Sequence, residues 1–91
     1  MELLLTPTFA RLLKKLHKNQ KTSLDKAMRL LVENPILGDA KRGDLDGIFV
    51  LKFMVNREEW LLAYRVISEG SLKLLLVGPH ENFYRALKKK Y

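Results

Sequence analysis

Cysteine is absent from the 91 residues, which excludes disulfides and any thiolate metal site. Histidine occurs only as His17 and His80, too few for a metal centre built on imidazoles, and no metal or other cofactor is expected. No apolar run approaches the roughly 20 residues that a membrane span requires. The longest, around Leu74–Val77, is a strand's length. The opening MELLLTPTF lacks the basic-then-apolar order of a secretion signal and is interrupted at Pro7. Glycine-rich phosphate loops, nucleophile elbows, internal repeats and low-complexity linkers are all missing. The expectation is one cytoplasmic domain spanning residues 1–91, with no membrane partner.

Acidic residues are also scarce: ten against seventeen Lys and Arg, a net charge of +7. An imbalance of that size on so short a chain points to a polyanionic partner. Between Leu3 and Leu24 there are five basic residues and no acid, and Arg85–Lys90 adds four more bases. The acids gather instead at Asp39–Asp46 and at Glu58–Glu59.

Hydrophobic residues make up 47% of the chain, enough for a packed core. Glu2–Leu5 reads as a short buried strand. Thr6-Pro7 reads as an N-cap followed by proline at the first helical position. Phe9, Leu12, Leu13 and Leu16 then recur at helical spacing. Asn19-Gln20 breaks the pattern. A second helix carries Leu24, Ala27, Met28, Leu31 and Val32 and stops before Pro35. Gly38–Gly47 is a loop. From Ile48 the period becomes two: strands are expected over 48–53, 60–67 and 72–77, with turns at 56–59 and 68–71. The last of these strands is nearly all apolar and is expected to be central. Gly78-Pro79 is expected to end it and to open a final helix. The order β-α-α-β-β-β-α predicts an α+β fold with helices on a sheet face.

The final helix places His80 at or beside its N-terminus, with Tyr84 one turn later on the same side. Glu81 and Arg85 are spaced to pair. A histidine there can exchange a proton near neutral pH, and a tyrosine can stack on a base or donate to a phosphate. The plainer alternative is a surface histidine beside a core-edge aromatic. In EWLLAYRV, Trp60, Leu62, Tyr64 and Val66 are expected to face the core. Arg65 falls on the opposite, open face, shared with Lys52, where a guanidinium can grip a phosphate in bidentate fashion. The alternative for Arg65 is an ion pair with Glu58, Glu59 or Glu69.

Taken with that element order, GDLDGIFVLKF, WLLAYRV and LLLVGPHENFYRALKK resemble the RelE/ParE superfamily of bacterial type II toxins, and EWLLAYRV with GPHENFY is most similar to its YafQ-like branch. The resemblance covers nearly the whole chain. It implies a small twisted antiparallel sheet with two N-terminal helices packed on it and a short C-terminal helix. It also implies a ribosome-dependent, metal-independent mRNA endoribonuclease (an mRNA interferase) that is neutralised by a cognate antitoxin. His80 matches the catalytic histidine of the YafQ-like toxins, Tyr84 a functional aromatic of RelE-like toxins, and Lys52 falls near a catalytic lysine. With Arg65, taken from its place on the strand, joining Lys52 to stabilise phosphate charge, these four form the candidate catalytic set. Lys14, Lys15, Lys18, Lys41, Arg42, Arg85, Lys88 and Lys89, taken from the clustering of charge, form the candidate RNA- and ribosome-binding set. The pattern departs at Leu61, where an arginine is usual, and at Gly43 and Val55, where YafQ-like toxins carry further histidines. The alternatives are a toxin of the ParE kind, which inhibits DNA gyrase without a nuclease set, and a non-toxic basic interaction domain.

Overall fold

The computed structural model describes all 91 residues. Strand β1 (Glu2–Leu5) is followed by helices α1 (Pro7–Lys15) and α2 (Lys18–Glu33). A two-residue strand β2 (Asp39–Ala40) and a single 3₁₀ turn (Gly43–Leu45) lie inside the segment expected to be a plain loop. Strands β3 (Phe49–Val55), β4 (Glu58–Ser68) and β5 (Ser71–Pro79) form the meander, and α3 (Phe83–Lys90) closes the chain. The strands lie in the order β1-β5-β4-β3-β2, so β4 is the middle strand and β5 is its interior neighbour. The sheet is antiparallel except at β1, which runs parallel to β5 with Glu2 opposite Ser71 and Leu5 opposite Leu74. β1 is therefore an edge strand, and Leu4 and Leu5 remain exposed; the short apolar run does not mark a buried strand.

Helix α1 starts where its sequence dictates. Thr6 caps it by accepting from the Phe9 N–H at 3.1 Å, with proline at the first helical position. The break between the helices falls at Leu16-His17, because Gln20 belongs to the first turn of α2 and its side-chain oxygen accepts from the His17 N–H at 2.8 Å. Phe9 from α1 and Leu24, Ala27 and Leu31 from α2 pack on Leu51, Trp60, Leu62, Tyr64, Leu72 and Leu74. This is the core face that the periodicity predicts, except that Val32, in the last turn of α2, and Val66, beside a second register shift near the end of β4, are exposed.

The opposite face is not open. Ile48, Val50, Leu61, Ala63, Leu75 and Leu76 make a second core there with Leu45 from the 3₁₀ turn and Phe83 and Leu87 from α3. The β4–β5 register shifts by one between Ala63 and Tyr64, a bulge that lets consecutive leucines, Leu75 and Leu76, serve the same face. One face of the sheet thus carries α1 and α2 and the other carries α3.

The candidate phosphate-binding cleft

The chain leaves β5 later than expected. Pro79 still pairs with Trp60 across the sheet, and the His80 N–H donates to the Glu59 carbonyl at 3.0 Å. Proline is tolerated there because successive N–H groups point to opposite sides of a strand, and β1 reaches only to Leu74 on the other side. His80 is therefore in the strand-to-helix corner, ahead of the first helical turn, which begins at Phe83 behind Asn82 in the left-handed conformation, φ 62°. Its position is fixed by β4 through the backbone bond to Glu59, whose Oε1 also lies 3.7 Å from the imidazole Nε2. The imidazole is about half exposed, at 55%. Its ring meets the Tyr84 ring edge-on, with centroids 6.2 Å apart. Glu81 and Arg85 do not form the ion pair that their spacing allows; Arg29 pairs with Asp25 at 3.0 Å on α2.

Tyr84 is half-buried and forms the floor of a cleft between α3 and the loop that precedes β3. Lys41 Nζ stands over its ring, 5.2 Å from the centroid, a cation–π geometry. Phe83 braces the same ring from its edge at 5.7 Å. The cleft has a volume of about 260 Å³ and is lined by Lys41, Arg42, Asp44, Leu45, Tyr84 and Lys88. Three cations face one carboxylate, so the lining is net positive. That volume is below the usual range for a small-molecule pocket and suits a phosphate group of a chain running past. No group of three His, Cys, Asp or Glu comes together anywhere in the chain.

Of the residues expected to act, the fold brings together Lys41, Arg42, Tyr84 and Lys88 in the cleft and His80 beside it. Arg85 and Lys89 lie exposed on α3. Lys52 is exposed on β3 opposite Leu61, and it borders a separate depression with Leu30, Leu37 and Asp39. Arg65 is not beside His80: it sits six residues from Glu59 along β4, roughly 20 Å at the usual strand rise. It pairs with none of Glu58, Glu59 and Glu69, and its Nη1 donates to the Asp46 carbonyl at 3.4 Å. Leu61, at the usual arginine position, is fully buried in the second core. Lys14, Lys15 and Lys18 belong to α1 and α2, which cover the other face. Asp44 was not singled out in the sequence, and Glu59 was considered only as a partner for Arg65. Glu59 hid inside a presumed turn, although its place two strands from the chain end, next to Trp60, is what lets it meet His80.

No curated protein matches the chain. Solved structures of E. coli RelE resemble it in fold. The isolated RelE toxin (P21 form) is 20% identical with a TM-score of 0.70, covering 99% of this chain and 98% of that one. A doubly substituted free form of RelE is 19% identical with a TM-score of 0.73, covering 96% and 90%. The intact E. coli RelBE toxin–antitoxin complex matches at 21% identity and a TM-score of 0.71, covering 88% and 96%. The family described as ParE-like toxin of type II bacterial toxin-antitoxin system matches residues 3–88, so the chain belongs to that family of toxins, within the RelE/ParE superfamily.

Proposed function

We infer that this toxin cleaves mRNA on the ribosome without a metal and that the cleft between α3 and the Lys41–Leu45 segment receives the RNA backbone. The observation that carries this reading is the continuous array His80–Tyr84–Lys41, opening onto Arg42 and Lys88. In such a cleavage the ribose 2′-oxygen attacks the adjacent phosphorus and the bond to the 5′-oxygen breaks. A base removes the 2′-hydroxyl proton, an acid supplies one to the leaving oxygen, and cations steady the charge that grows on the phosphoryl oxygens. His80, oriented by Glu59, is suited to one of the two proton transfers. Lys41, Arg42 and Lys88 supply the cations, and Tyr84 offers a ring against which a nucleotide can rest. The cognate partner is an antitoxin, the kind of assembly that the RelBE complex exemplifies.

The second reading is inhibition of DNA gyrase. It is favoured by the burial of Leu61 and by the distance of Arg65 from His80, which leave the nuclease set thinner than the resemblance implies. Primer extension on translated mRNA after induction in bacteria separates the two. Wild type should produce discrete cuts. His80→Gln should keep the fold and ribosome binding while slowing cleavage by roughly two to four orders of magnitude, the usual cost of one acid/base group. Equal cleavage by both proteins removes His80 from the chemistry. Growth arrest with no cuts and with loss of DNA supercoiling assigns the chain to gyrase.

A further inference from the structure

The cleft wall opposite α3 contains no regular element longer than one 3₁₀ turn, and its shape is fixed at three points. The Lys41 N–H donates to the Ile48 carbonyl at 2.8 Å and closes the neck of the loop. Leu45, buried in the second core, plugs the loop onto the sheet. The third point is Arg65, which reaches from β4 across Gly47 to the Asp46 carbonyl. Gly47 has φ +86°, and a Cβ at that residue would lie 2.7 Å from Arg65 Nη1. The guanidinium thus occupies space that a side chain at position 47 would take. Arg65 is half-buried and makes no ion pair.

We propose that Arg65 is a positioning residue that clasps the Lys41–Ile48 loop over Gly47 and thereby holds Lys41 and Arg42 at the spacing from Tyr84 and Lys88 that grips a phosphate of single-stranded RNA. The proposal rests on the reading of the cleft as a phosphate site. It differs from a direct role because the one polar contact that the Arg65 side chain makes is with a backbone carbonyl of the loop, so its effect on RNA passes through the loop's shape. A guanidinium suits the task, since its planar fork keeps its charge while partly covered and holds a fixed geometry.

The test pairs two measurements on the intact chain: amide hydrogen exchange of the free protein, and affinity for a fluorescein-labelled oligouridylate at several salt concentrations. Arg65→Ala should speed exchange of the Asp46–Ile48 amides and raise Kd about tenfold, in line with loss of one charge-assisted hydrogen bond. Gly47→Ala, which leaves every charge in place but also strains the backbone at φ +86°, should do at least as much. The double variant should be no worse than the worse single, because both break one contact. The slope of log K against log salt should stay as in wild type for all three. Two results overturn the clasp: unchanged loop exchange in Arg65→Ala, or a slope flattened by about 0.7, the loss of one phosphate contact to a single strand, with Gly47→Ala unaffected. A wild-type protein that ignores the RNA even at low salt overturns the phosphate reading instead, and the exchange rates still decide the clasp. Should Arg65→Ala fail to fold, Arg65→Met keeps the apolar stem without the donors and carries the same test.

Discussion

Tyr64 shows how one residue ties the two halves of the chain together. It is fully buried, stacks on Phe49 with ring centroids 5.4 Å apart, and accepts the Gly38 N–H on its hydroxyl at 3.0 Å. A Cβ on Gly38 would sit 2.9 Å from that hydroxyl, so the pair fits only with glycine. Tyr64→Phe strands the Gly38 N–H and should cost about 1–3 kcal/mol at neutral pH. Burial also pushes the phenol above its ordinary value of 10.0, with the Gly38 N–H pulling the other way. The folded state therefore holds this proton more tightly than the unfolded chain does. That share of stability is complete below about pH 10 and drains away as pH rises toward the folded value. Urea midpoints between pH 8 and 11 should fall more steeply for wild type than for Tyr64→Phe; parallel curves would mean that the phenol ionises equally easily in both states. Alternation in EWLLAYRV was enough to place Tyr64 in the core, but a contact to a glycine 26 residues earlier leaves no trace in local pattern. His80 illustrates the converse error. Pro79 carries the same residue preference at a helix start as at an unpaired strand edge, and only the length of β1 distinguishes the two.

Among the elements, α1 depends on a single threonine more than its length suggests. Thr6 accepts from the Phe9 N–H and also donates to the Leu75 carbonyl at 3.3 Å, so it caps the helix and fastens it to β5. Thr6→Ala should lower unfolding free energy by about 1–2 kcal/mol, the upper part of the range for a lost cap. Thr6→Ser should recover most of that in chemical denaturation, and an unchanged midpoint for Thr6→Ala would show that the cap contributes nothing. The Thr-Pro signal, the Pro35 stop and the two-residue period through β3 and β4 all made these elements legible in the sequence. The bulge at Leu75–Leu76 was not, because a run of four apolar residues offers no alternation in which to see a slip. β2 was equally hidden: two residues cannot establish a period, and Asp39 and Ala40 are held as a strand by their pairing with Val50 and Phe49.

At the scale of the molecule, the basic residues divide between two faces. Lys41, Arg42 and Lys88 line the cleft, while Lys14, Lys15 and Lys18 are exposed on the helices across the sheet. A short single-stranded RNA can engage one side at a time. Replacing the first trio with alanine should flatten the salt dependence of its binding by about 2 units of slope, whereas replacing the second should leave that slope unchanged. Equal effects of the two trios would show that binding is diffuse. Net charge alone indicated a polyanionic partner, but it could not divide the lysines, since the division follows from which helix covers which face. The parallel pairing of β1 with β5 bears on how the protein comes into being. Glu2–Leu5 find their partners only at Ser71–Leu74, and Lys90 bonds to Thr8 at 2.7 Å. Contacts so distant along the chain close late and slowly. The helices can form from local contacts, whereas strand β1 and the Tyr84 side of the cleft wait on contacts between segments far apart in the chain.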